Sequence, residues 1–188
     1  MTARPGRVHV TGATGAGVTT LGRALANRLA VSHLDTDDFY WLPSDPPYRA
    51  KRDIPARLRL LEQAMRASPR GWVLSGSLDG WGDPLVPLFD LVVFLVVPTE
   101  VRLERLRARE RARYVEPALA PGGSLHEEHH AFLEWAAAYD AGNREGRSRR
   151  RHEAWLTRLR CPVVRLDGAL PVEELAGRVL SPTESPEN

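Results

Sequence analysis

The chain contains a single cysteine, Cys161, and a single lysine, Lys51, among its 188 residues. One cysteine excludes an internal disulfide and suits a reducing compartment. With lysine this scarce, any anion the protein binds must be met by arginine or by a metal, and arginine is the better bidentate fork for phosphate. Net charge is also small, +2 at pH 7, which excludes the electrostatic footprint that nucleic-acid binding requires. No apolar run approaches the ~20 residues of a membrane-spanning helix; Leu91 to Val97 is strand-sized. The first strand begins almost at once, leaving no room for a signal peptide. These absences predict a cytoplasmic protein with no nucleic-acid partner and no membrane partner. The length suits one domain with a sizeable core.

What is present begins at Gly12. Gly12-Ala13-Thr14-Gly15-Ala16-Gly17-Val18-Thr19-Thr20 is a phosphate-binding loop of the form G-x-x-x-x-G-K-[ST] with valine where lysine is expected. Arg7 to Thr11 reads as a buried strand and Leu21 to Leu29 as a helix. Strand, glycine-rich turn and helix in that order aim backbone N–H groups at phosphate oxygens. Thr19 would offer its hydroxyl to Mg²⁺ and Thr20 a further hydrogen bond to phosphate. Val18 offers no charge.

Five short apolar runs read as strands: Arg7–Thr11, Val31–Leu34, Trp72–Ser75, Leu91–Val97 and Val163–Leu166. They are continuous rather than alternating, as strands buried on both faces of a parallel sheet are. Helical patterns lie between them: Asp53 or a neighbour can cap one running to about Ala67, and Pro98-Thr99 opens another from Glu100 to about Arg111. Ser124 with Glu127 is a capping-box signature for a helix to Tyr139. Glu116 to Gly123 reads as loop, Asp140 to Gly146 as a break, and Arg147 to Arg160 as a return helix. Asp167, Gly168 and Pro171 turn the chain into a final helix.

Three further stretches carry chemistry. His33-Leu34-Asp35-Thr36-Asp37-Asp38-Phe39-Tyr40-Trp41 closes the second strand. Carboxylates at strand C-ends of a doubly wound sheet face the ligand crevice, and the aromatic trio gives a polar site apolar walls; a solvated turn would use the same acidic residues. Ser75-Gly76-Ser77-Leu78-Asp79-Gly80-Trp81 follows the third strand, with no aspartate at the strand end and Asp79 arriving late. Arg105 and Arg109 share a helix face, and Arg147 and Arg151 repeat that spacing.

With these motifs in this order, the chain resembles the small P-loop kinases, the group of nucleoside monophosphate, shikimate, gluconate and uridine kinases and the adenylate-kinase-like topology modulation proteins. The resemblance runs from about Arg7 to Val179. It implies a three-layer α/β fold with a five-stranded parallel sheet of order 2-3-1-4-5. One domain over 1–180 would carry an acceptor-capping segment at 38–70 and a helical lid at 109–151, with a flexible tail at 181–188. It also implies phosphoryl transfer from Mg²⁺-bound ATP or GTP to a small acceptor. Gly12 to Thr20 would hold the phosphates and Arg105 the base. Thr19 and Asp35 would hold the metal, and Asp37 the acceptor hydroxyl or phosphate. Arg109, Arg147 and Arg151 would neutralise transition-state charge. Asp38, Phe39, Trp41, Tyr48, Arg52 and Trp81 are the other acceptor-site candidates. Arg49 and Arg52 favour an anionic acceptor such as a nucleoside monophosphate, while Phe39 and Trp41 equally suit a nucleoside or aromatic alcohol.

Val18 departs from that family pattern. It predicts that a lid arginine supplies the missing charge on closure, so that charge arrives with the acceptor. It also admits a nucleotide-binding regulatory switch with little phosphoryl transfer. A remoter alternative is a zinc hydrolase: His126-Glu127-Glu128-His129-His130 satisfies H-E-x-x-H, with His126 and His130 as ligands and Glu127 as base. The metzincin extension fails at Leu133 and Ala136, and an exposed lid helix is the preferred reading.

Overall fold

A computed structural model describes residues 6–45, 47–142 and 146–181; the tail expected from 181 onward lies outside them except for Ser181. The strands are β1 (Arg7–Gly12), β2 (Ser32–Asp35), β3 (Trp72–Ser75), β4 (Leu91–Val96) and β5 (Val163–Asp167). The helices are α1 (Val18–Leu29), α2 (Thr36–Tyr40), α3 (Ile54–Arg66), α4 (Thr99–Arg113), α5 (Glu116–Leu119), α6 (His126–Ala137), α7 (Arg149–Leu156) and α8 (Val172–Leu180).

All four strand pairings are parallel and the sheet order is β2-β3-β1-β4-β5, the order that the resemblance to small P-loop kinases implied. The apolar runs are continuous because both faces of the sheet are covered. Val8, Val10, Val93 and Leu95 join Leu21 and Leu25 of α1 and Leu175 and Val179 of α8 in one core. Trp72, Leu74, Val92 and Phe94 join Leu61 of α3, Leu85 of a 3-10 turn at Asp83–Leu88, and Trp155 of α7 in the other. His9 is fully buried on this second side, stacked on Phe89 at 5.1 Å and hydrogen-bonded through Nδ1 to the Leu74 carbonyl at 3.1 Å.

Local signals decide several boundaries. Asp53 caps α3 by accepting the Ala56 N–H at 2.7 Å, as expected. Ser124 does not cap α6. The turn through Gly123 folds back on α5, the Leu125 N–H donates to the Ala118 carbonyl at 2.9 Å, and Leu125 takes the N-cap place without a side-chain bond. α5 itself occupies part of the segment read as loop. The return helix starts later than expected because Ser148 caps it, accepting the Arg151 N–H at 3.3 Å, and it ends earlier, at Leu156.

Candidate active site

The phosphate loop turns between β1 and α1 on two glycines with positive φ, Gly15 at 84° and Gly17 at 89°, a conformation costly for any residue with a Cβ. Among the described residues the N–H groups of Gly15, Gly17, Val18 and Thr19 make no hydrogen bond. They form a cluster of free donors at a helix N-terminus, the arrangement that binds phosphate. Val18 packs against the first core.

At the end of β2, Asp35 serves two neighbours. Its Oδ2 accepts the Thr19 hydroxyl at 2.9 Å and its Oδ1 accepts the Asp37 N–H at 3.1 Å, capping α2. A hydroxyl and a carboxylate in contact beside a phosphate cradle are hard oxygen donors of the kind Mg²⁺ takes. Gly76 makes the approach possible: at φ 118°, a Cβ there would lie 1.8 Å from the Thr36 hydroxyl, so the loop after β3 closes directly onto the Asp35-Thr36 turn. Asp37 stands in the first turn of α2. Desolvation, then the charge of Asp35, raises its carboxyl above the usual aspartate range, while Arg147 pulls the other way. Asp38 is raised by the same first two causes.

The arginines separate into distinct environments. Arg105 reaches over Gly17 and donates to the Gly168 carbonyl at 3.0 Å. Arg109 turns away, bonding Glu110 at 3.2 Å with Phe132 beneath it at 5.8 Å. Arg151 forms an ion pair with Asp79 at 3.1 Å. Arg147 donates to the Thr14 hydroxyl of the phosphate loop and lies 5.3 Å from the Trp135 ring. Of the three arginines expected in a lid, it is the one the structure brings to the loop.

Several acceptor candidates are occupied by the fold. Arg52 donates to the Phe39 carbonyl at 3.0 Å and the Trp41 carbonyl at 3.2 Å, so its fork holds the chain around α2. Trp81 is 5% exposed inside the second core, with its indole N–H on the Ser77 carbonyl. Phe39 packs against the same core. Trp41 and Tyr48 meet edge to face at 5.9 Å, with Arg113 over Tyr48, and Arg49 pairs with Glu128 at 3.0 Å. Tyr48 and Arg49 thus touch α4 and α6.

Sequence reasoning missed two groups. Arg102 is fully buried and binds the Thr14 carbonyl (3.4 Å), the Ala136 carbonyl (3.1 Å), the Val97 carbonyl (3.2 Å) and Asp140 (2.8 Å). Its place one turn before Arg105 was a signal of face, not of burial. His9 and His152 flank a cavity of about 10 Å³, the room of one water, together with Thr11, Leu78, Asp79 and Trp155; His9 Nε2 has no partner there. In α6, His126 Nδ1 bonds the Leu119 carbonyl and His130 faces Glu134. Among the described residues no group of three His, Cys, Asp or Glu could hold a metal.

A family model described as an AAA domain matches residues 8–118. A Bacillus subtilis (strain 168) protein, described as the uncharacterized protein YqaC, is 49% identical over 173 residues, 92% of this chain and 94% of its own. A shikimate kinase of Thermosynechococcus vestitus is 36% identical over 122 residues, 60% of this chain and 66% of its own. The solved shikimate kinase from Bacteroides thetaiotaomicron has a TM-score of 0.53 at 19% identity, covering 93% of this chain and 96% of that one. At that identity it shows the fold alone, which is that of the small P-loop kinases. No helix among the described residues is long and apolar enough to cross a membrane.

Proposed function

Because the chain belongs to the AAA-domain family and has the fold of the small P-loop kinases, we propose that it is a cytoplasmic, Mg-ATP-dependent phosphotransferase acting on a small-molecule acceptor. The observation that carries this reading is the Thr19–Asp35 contact of 2.9 Å beside the free N–H groups of the phosphate loop. In it, Gly12 to Thr20 cradle the nucleotide phosphates and Arg105 lies along the base. Thr19 and Asp35 would hold Mg²⁺, which would supply neutralisation of the phosphates' charge. Asp37, raised in pKa and close to the loop, accepts or orients the acceptor's proton. Residues 38–70 cap the acceptor and 109–151 form the lid. GTP in place of ATP is the variant of the same reading.

The test is a screen of nucleoside monophosphates, nucleosides, shikimate and gluconate with Mg-ATP, scored by ADP release and by the mass of the product. Turnover of one class names the acceptor. Val18 favours a second reading, a nucleotide-dependent switch. Tight ATP binding in calorimetry, with no turnover of any acceptor, would select that one.

A further inference from the structure

We infer that Arg147 replaces the missing P-loop lysine, and does so from a preset position rather than by arriving with a closing lid; the inference rests on the phosphotransferase reading above. Three observations combine. First, the residue at the lysine position is Val18, which packs against the first core, so the loop carries no cation of its own. Second, Arg147 bonds the loop at the Thr14 hydroxyl, a neutral partner. Arg102, Arg109 and Arg151 each have a carboxylate within ion-pair distance. Among the described residues Arg147 has none, and Asp37 is the largest of the negative charges it feels. A guanidinium held in a crowded site cannot shed its proton, so the favourable way to compensate its desolvation is an anion. A phosphate bound in the cradle beside it would be that anion.

Third, the support of Arg147 is fastened to the loop. The Arg102 guanidinium bridges the Thr14 carbonyl and the Ala136 carbonyl at the end of α6. Trp135, also on α6, underlies Arg147. On the far side, the Arg149 N–H donates to the Tyr139 carbonyl at 3.0 Å, and the Tyr139 hydroxyl meets His152 Nδ1 at 2.7 Å. The helix before Arg147 is therefore tied to the phosphate loop through Arg102, and the helix after it is tied back to Tyr139. This departs from the expectation that the charge comes with lid closure and the acceptor. A preset guanidinium strengthens nucleotide binding whether or not an acceptor is present.

Calorimetry with Mg-ATP and with sodium tripolyphosphate, in the absence of any acceptor, tests this. Arg147→Gln should weaken both by on the order of 10- to 100-fold, the scale of one charge-assisted hydrogen bond. Arg150→Gln, an exposed neighbour that removes the same net charge, should change them by less than about 3-fold, the scale of an exposed charge. The swap variant V18K/R147Q, with wild-type circular dichroism, should recover most of the loss. Equal affinities in wild type and Arg147→Gln, or a folded swap variant no tighter than Arg147→Gln, would overturn the assignment. A wild-type protein that binds neither probe would instead overturn the phosphotransferase reading.

Discussion

His9 and His152 should make the fold acid-labile in a window set by their burial. Both are almost inaccessible, at 0% and 3% exposure. Desolvation holds His9 down to about 4 and His152 down to about 3, the latter aided by the charge of Arg147. In the unfolded chain each imidazole takes up its proton near pH 6.5. Their folded-state values are depressed, so the unfolded state binds more protons as pH falls below 6.5. Stability is thus intact above that pH and is lost progressively down towards pH 4 and 3. One such histidine loses about 2 kcal/mol between pH 7 and pH 5, and the pair about 4 kcal/mol, at about 1.4 kcal/mol per proton and pH unit. Against a typical total of ~5–15 kcal/mol that is a large share.

Urea unfolding followed by tryptophan fluorescence at pH 7, 6 and 5 measures it. His9→Asn separates the effect from other titrations. Its amide can donate to the Leu74 carbonyl as Nδ1 does, but it does not titrate. The variant is weaker at neutral pH because it gives up the stack on Phe89. Its pH 7-to-5 loss should nevertheless be about 2 kcal/mol smaller than that of the wild type. Parallel losses in the two proteins would refute the assignment to His9.

Other expectations follow from the site. Asp35→Asn should raise the Mg²⁺ concentration needed for nucleotide turnover, whereas Asp37→Asn should lower kcat and kcat/KM together, the sign of an interaction made in the transition state; wild-type kinetics in both would remove the carboxylates from the mechanism. Arg102→Met should cost about 3 kcal/mol in urea unfolding, since it leaves the Val97, Thr14 and Ala136 carbonyls without their donor, and should raise KM for ATP by loosening Thr14. A zinc-selective chelator should leave fold and turnover intact. One equivalent of bound zinc per chain, lost on His126→Ala, would reverse the ranking of kinase over hydrolase.

The strands, the phosphate loop and the Asp53 cap were legible because each is written in consecutive residues: a run of β-branched side chains, a glycine spacing, a carboxylate three residues before the N–H it accepts; the strand order came only from the resemblance those motifs carry. The Thr19–Asp35 contact was legible at one remove, since a parallel sheet brings the ends of β1 and β2 to the same edge. Ser124 shows the limit of such reading. Its spacing to Glu127 is right, but the turn at Gly123 leaves Leu125 in the capping place.

Arginine destinations were not legible at all. Arg105, Arg109, Arg147 and Arg151 look alike in sequence, yet one lies over Gly17, one pairs with its own neighbour, one reaches a residue 133 positions away and one meets Asp79. A long side chain with several rotatable bonds goes where an acceptor waits, and those acceptors belong to segments joined only by folding. The burial of Arg102 was hidden for the same reason. Sequence by itself determined the sheet, the cradle and the kinds of group around it. Tertiary packing decided which arginine reaches the glycine-rich loop, because that depends on pairings no local stretch encodes.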